Sequence, residues 1–187
     1  MLPWGHAGFG YLLYSALVRA RTGRPPTGPP VLGLVLGTQF PDLVDKPAAW
    51  TFDVLASGRS LGHSVFTFAI LMGVLWAVFD TPRRRALVAA FGVGYGSHLV
   101  GDALAPVVQG ESENLGYLLW PLLPGPTDHN TSFLEFFLSL QWTPFMLFGF
   151  AVAFASVVVW MFDGMPGVTD LFALVSSADA VDSADDR

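Results

Sequence analysis

Long apolar stretches alternate with short polar ones along this chain, and the apolar stretches are too long for strands. Ser64–Phe79 carries no charge over sixteen residues, and Trp142–Phe162 none over twenty-one. Ala86–Val100 is apolar apart from His98 and runs on to Asp102. His6–Ala20 is a fourth apolar stretch, closed by Arg19, Arg21 and Arg24. A bilayer core of ~30 Å takes about 20 helical residues, with about 17 tolerated. The last stretch in the chain meets that length directly, and the others meet it once their flanks are counted. Lipid offers no water to backbone N–H and C=O groups, so segments that span it are helices. Val31–Phe40 is apolar over only ten residues, which predicts a half-helix or re-entrant segment, with Pro41–Gly62 outside the bilayer core. The pattern predicts an all-α integral membrane helical bundle with about four spans plus a short re-entrant or broken helix. Residues 1–163 would form one embedded domain, and 164–187 an acidic, small-residue tail. Arg24–Pro30 and Glu111–Ser132, rich in Pro and Gly, read as loops.

Composition agrees with a membrane setting. Of 187 residues 52% are hydrophobic and 13% charged, with mean hydropathy +0.52, whereas a soluble domain carries about 25% charged residues. The competing expectation is a soluble all-α protein, but three such stretches are hard to bury in so small a globule. The net charge of −6 leaves no basic surface for nucleic acid. With no Cys there are no disulfides and no thiolate metal sites. The first stretch does not read as a signal peptide, because its cations follow the apolar run instead of preceding it. Arg19, Arg21 and Arg24 form one cationic cluster, and Arg83, Arg84 and Arg85 another. The positive-inside rule places both on the cytoplasmic side of a multi-pass plasma-membrane protein. Lys46 and Arg59 fall on the other side, against the rule.

Ionisable residues beside apolar helices are costly and usually have a partner or a task. His98 lies about 20 Å of helix beyond Arg85, and Asp102 one turn further. His63 precedes the Ser64–Phe79 span, His6 opens the first helix, and Asp42 and Asp45 follow the short apolar segment. The topology brings all six to the end opposite the arginines. His98 and Asp102 at i, i+4 share a helix face, as do Asp42 and Asp45 at i, i+3 if that segment is helical. Imidazole with carboxylate suits a divalent metal, Zn or Mn above others. Helix caps, hydrogen-bonded core histidines or His–Asp pairs are the alternatives for any single pair. Gly92 and Gly96 form a GxxxG element that permits close helix packing. His129 and Asp128 would either complete the site from above or belong to a turn capping a helix that begins near Thr131 or Ser132.

The motifs occur in a recognisable order: His6 in HAGFGYLL, GTQFPDLVD at Gly37–Asp45, GRSLGHS at Gly58–Ser64, GYGSHLVGDALAP at Gly94–Pro106, and LLWPL at Leu118–Leu122. Over about residues 1–123 the chain resembles the family of membrane-bound, metal-dependent hydrolases described as LexA-binding and inner-membrane-associated. The resemblance implies a polar core of His6, Asp42, Asp45, His63, His98 and Asp102, with Arg59, Ser64 and Trp120 as substrate contacts. The order of motifs is also distantly similar to zinc-dependent phospholipase C. The chain departs from the family pattern where Asp42 and Asp45 stand three apart, and where Gly58 and Gly62 replace the usual His and Thr.

A metal at such a site would lower the pKa of a bound water toward ~7 and polarise a phosphoryl or carbonyl oxygen. Asp45 would then act as general base, Asp42 would bridge two ions if two bind, and Arg59 would pair with a phosphate. Hydrophobic walls at the membrane interface point to a small-molecule or lipid substrate such as a lipid-linked phosphoester, reached from the extracytoplasmic side. The competing function is non-enzymatic: a membrane scaffold or regulator with a structural metal or a hydrogen-bonded polar cluster.

Overall fold

The computed structural model describes residues 1–126 and 132–168, and every described element is helical. Asp128 and His129 lie outside the described residues, as does the tail beyond Val168. The helices are α1 (Pro3–Thr22), α2 (Pro30–Trp50), α3 (Val65–Val78), α4 (Pro82–Gln109), α5 (Phe133–Leu138) and α6 (Pro144–Phe162), with a 3-10 helix at Ser112–Leu119. Proline, whose missing N–H costs nothing in a first turn, opens α1, α2, α4 and α6. Ser64, Thr81, Ser132 and Thr143 cap α3, α4, α5 and α6 with their hydroxyl oxygens. The expected cap of the loop helix is therefore Ser132, which accepts from the Glu135 N–H at 3.2 Å.

Helix directions follow from the side chains that meet. Gly10 of α1 lies against Thr38 of α2 and Ser97 of α4, and His6 against Gly101. Helix α1 thus runs antiparallel to both, while α2 and α4 run parallel. Met72 and Phe68 of α3 meet Gly92 and Gly96 of α4, again antiparallel. Trp4 stacks on Phe150, and Tyr11 and Ser15 reach Asp163, so α1 and α6 are parallel. Arg19 and Arg83–Arg85 therefore gather at one end of the bundle, and the C-terminal halves of α2 and α4 meet the start of α1 at the other.

Two expectations need correcting. The predicted short, broken segment is one continuous helix of 21 residues that passes through Pro41 and Pro47. Each proline removes a backbone hydrogen bond, yet Val31, Leu34, Thr38, Pro41 and Asp45 form one buried stripe at helical spacing along its length. Burial of that stripe, largely against α4, outweighs the lost bonds. The close helix contact also lies elsewhere. A Cβ on Gly37 would overlap the Phe91 carbonyl, one on Gly94 the Leu34 carbonyl, and one on Gly33 the Leu87 carbonyl. The backbone-to-backbone crossing is thus made by the GxxxG of α2, Gly33 and Gly37, with Gly94 of α4. Gly92 instead receives the Met72 side chain.

Two described helices, α4 and α6, are long and apolar enough to cross a membrane. The apolar stretch of α6 is only 11% buried by protein, and α3, apolar but only 14 residues long, has no buried residue. Ile70, Val74, Phe154, Met161 and Phe162 are exposed. Four spans were expected; among the described helices only α4 and α6 have the length and apolar composition to cross a membrane. At the arginine end, Asp163 accepts from the Tyr11 hydroxyl at 2.7 Å and the Ser15 hydroxyl at 2.8 Å, and pairs with Arg19. Burial pushes the Asp163 carboxyl up, but these three donors outweigh it and hold it below the usual carboxylate range.

Candidate metal centre

Four elements converge at the end opposite the arginines. Helix α1 brings His6, α2 brings Asp42 and Asp45, α4 brings His98 and Asp102, and the loop before α3 brings Arg59 and His63. His98 and Asp102 share a face of α4, as their spacing requires. His98 Nδ1 lies 2.7 Å from the Thr38 carbonyl oxygen. A carbonyl only accepts, so Nδ1 carries the proton and Nε2 is left with a lone pair. His63 Nδ1 lies 2.8 Å from Asp45 Oδ2 and donates to it by the same reasoning. The two Nε2 atoms then face each other at 3.1 Å.

Carboxylate oxygens surround that pair. Asp42 Oδ1 is 3.5 Å from His63 Nε2 and 3.8 Å from His98 Nε2. Asp102 Oδ2 is 3.6 Å and 4.0 Å from the same two nitrogens. His63, His98 and Asp45 are fully buried, and Asp102 nearly so. Two imidazole nitrogens 3.1 Å apart, with a carboxylate oxygen from Asp42 and one from Asp102 within 4.0 Å of both, call for positive charge among them. Tetrahedral coordination with bonds of ~2.0–2.1 Å sets donor atoms about 3.3 Å apart. The observed spacing fits a divalent cation after small side-chain shifts. Without an ion a proton meets the same demand: burial alone lowers the His63 pKa, but Asp102, Asp42 and Asp45 outweigh burial and push it up to about 10.

The six expected site residues do not share one role. Asp45 turns away from the nest. Its Oδ2 accepts from the Ser60 N–H at 2.7 Å, the His63 N–H at 3.2 Å and His63 Nδ1, and its Oδ1 accepts from the Gly62 N–H at 2.7 Å. Both oxygens are committed, so Asp45 anchors the loop and aims the His63 ring, as carboxylates behind metal-bound imidazoles do. Asp42 keeps Oδ1 toward the nest while Oδ2 pairs with Lys46 at 2.7 Å. His6 stacks flat on His98, ring centroids 3.7 Å apart and planes 13° from parallel. Its Nε2 stands 3.0 Å from Asp102 Oδ1 without the alignment of a hydrogen bond. Two overlapping sets are spaced to hold an ion: Asp42, His63 and His98, and His6, His98 and Asp102.

Arg59 Nε lies 3.0 Å from Asp102 Oδ2, and the Met1 amino nitrogen 2.5 Å from Asp102 Oδ1. Both oxygens of this carboxylate therefore draw positive charge. Arg59 and Asp102 form the polar floor of a cleft of about 410 Å³. Its walls are largely apolar and include Leu2, Pro106, Phe136, Phe145 and Met146. Ser64 and Trp120 do not line it. Ser64 caps α3 and donates to the Trp120 carbonyl at 2.6 Å, tying the 3-10 segment to the start of α3. Four contributors escaped the sequence reading: the Thr38 carbonyl, Lys46, Tyr95, whose hydroxyl donates to the Gly62 carbonyl at 2.5 Å, and Tyr117, whose ring meets His63 edge-on. Only Lys46 left a signal, as the i+4 partner of Asp42.

The family described as YdjM inner membrane protein matches residues 1–175. No curated protein sequence and no solved structure matches the chain.

Proposed function

Because the chain belongs to the YdjM inner membrane protein family, we propose that it is a multi-pass plasma-membrane hydrolase that uses a divalent metal to cleave an amphipathic phosphoester. One observation carries this reading: two buried imidazole nitrogens face each other at 3.1 Å among carboxylates, beside a cleft floored by Arg59 and Asp102. His63, His98 and Asp42 would hold the ion, with Asp102 alongside. The donor set, without thiolate, suits Zn²⁺ or Mn²⁺. The arginine end is cytoplasmic and the site faces outward. Lys46 and Arg59, the two cations against that rule, are the partners of Asp42 and Asp102.

A bound divalent ion supplies an acidified water and polarises the ester oxygen. The chain supplies the rest. Asp45 and the Thr38 carbonyl hold the two imidazoles in the ring orientation and tautomer that leave Nε2 free. Lys46 fixes Asp42 with one oxygen turned inward. Arg59 presents a planar cation to a phosphate at the cleft floor, where its fork matches two oxygens at once. The walls from α4, α5 and α6 exclude water and take the hydrocarbon part of the substrate.

The test uses full-length protein in lipid nanodiscs, loaded with Zn²⁺ or Mn²⁺, on a panel of phospholipid and isoprenoid phosphoesters beside a water-soluble phosphoester. The expected result is ion-dependent release of headgroup or phosphate from an amphipathic substrate, lost in His98→Gln and weakened mainly in KM by Arg59→Gln. Protein that stays fully ion-loaded and turns over nothing on the panel overturns the enzymatic reading and leaves a membrane scaffold with a structural ion.

A further inference from the structure

We propose that the centre is built for two divalent ions, one on His63 and His98 and one on His6, with the Asp102 carboxylate bridging them. This rests on the reading that the nest holds metal at all. The stack of His6 on His98 carries the argument. An ion held ~2.0–2.1 Å from an imidazole nitrogen lies in the plane of that ring. With the two planes 13° from parallel and the centroids 3.7 Å apart, no single point lies in both planes at bonding distance. His6 and His98 therefore do not share an ion.

Both rings nevertheless turn Nε2 toward one carboxylate, each to a different oxygen. His98 Nε2 faces Asp102 Oδ2 and His6 Nε2 faces Asp102 Oδ1. Two stacked imidazoles, each with Nε2 beside a different oxygen of one carboxylate, match a bridged pair after small ring rotations. Ions held in the planes of two rings stacked 3.7 Å apart would stand near the roughly 3.5–4 Å spacing of two-metal hydrolytic sites. His98 has one free nitrogen, since Nδ1 is spent on the Thr38 carbonyl, so it serves the first position only. The second position is the poorer one, with His6 and Asp102 Oδ1 as its side-chain donors, and an ion there has to displace the Met1 ammonium that lies 2.5 Å from Oδ1. His6 is 1% exposed, and neither of its ring nitrogens has a hydrogen-bond partner, a costly arrangement for a core histidine and an ordinary one for a ligand. A pair of ions at this spacing clamps the attacking and leaving oxygens of an in-line displacement, which fits a phosphoester better than a carboxylic ester.

The experiment is equilibrium dialysis of full-length protein in nanodiscs against Mn²⁺, with metal counted by mass spectrometry and the spin state read by electron paramagnetic resonance. The expected wild-type result is two Mn²⁺ per chain at saturation, filled in two steps at least ~10-fold apart, with the spectrum of an exchange-coupled pair. His6→Gln is expected to keep one ion within ~3-fold of the wild-type first affinity and to show the six-line spectrum of an isolated ion. Asp102→Asn loses the coupling by a second route, should His6→Gln fold poorly. One ion per wild-type chain at saturation, or a coupled pair that survives in His6→Gln, overturns the proposal while leaving a one-metal hydrolase standing. No ion in the wild type overturns this proposal and the metal-dependent hydrolase together.

Discussion

Replacing Asp45 by Asn separates a residue that aims an imidazole from the proposed ion ligands. The carboxylate accepts four hydrogen bonds in a fully buried position, three on Oδ2 and one on Oδ1. An Asn oxygen in the Oδ2 position keeps the Ser60 N–H, the His63 N–H and the His63 ring, but sets its NH₂ group against the Gly62 N–H. The Gly62 N–H and the new NH₂ group are then both buried without an acceptor, each costing about 1–3 kcal/mol, and the three remaining bonds lose the roughly twofold advantage of a charged acceptor. The sum is about 3–6 kcal/mol of stability, a large part of a typical ~5–15 kcal/mol. Ion binding should weaken 10- to 100-fold, the usual effect of losing the partner behind a metal-bound imidazole, with no change in ions per chain. Thermal unfolding in nanodiscs and Mn²⁺ titration calorimetry measure the two effects. Loss of an ion from the count would make Asp45 a ligand. Unchanged ion affinity with turnover abolished would make it the general base. Either result refutes the assignment argued from its four bonds.

Other outcomes follow from the same contacts. Gly37→Ala drives a methyl into the Phe91 carbonyl and should cost about 1–3 kcal/mol as overpacking, whereas Gly92→Ala, which meets only the flexible end of Met72, should cost well under half of that; thermal melts of the pair decide it. His63, raised to about 10 from an ordinary 6.5, binds a proton more tightly in the folded chain. It therefore stabilises the ion-free protein fully below pH 6.5, and that contribution is lost as pH rises through 10. A divalent ion must displace the same proton, so binding at pH 7 should release about one proton per chain and weaken as pH falls. Calorimetry in buffers of different ionisation enthalpy reads that release. Asp163, held low by Tyr11, Ser15 and Arg19, stabilises the chain above the ordinary carboxylate pKa and loses that contribution as pH falls through its own lowered value. Asp163→Asn should cost about 1–3 kcal/mol without altering ion affinity at the far end of the bundle.

The gathering of the site was legible because helix direction alone decides which end of a bundle a residue reaches. His6, His63, His98 and Asp102 sit at the ends of apolar stretches remote from the arginines, and alternating directions bring them together whatever the packing details. Roles within the cluster were not legible, because Asp42 and Asp45 project from one helix face and differ only in which neighbour each oxygen meets. The short segment expected at Val31–Phe40 arose from counting only the uninterrupted apolar run, whereas the stripe of Val31, Leu34, Thr38, Pro41 and Asp45 carries the helix on beyond it. The clasp at the arginine end escaped notice although Tyr11, Ser15 and Arg19 stand four residues apart on one face of an otherwise apolar helix. Lys46 and Arg59 carry the more general lesson. Each is a cation at the end of the bundle opposite the arginine clusters, against the expected charge bias, and each pairs with a carboxylate of the cluster. A cation out of place is tolerated when a site needs its charge locally, so exceptions to the orientation rule point toward the residues that make the site.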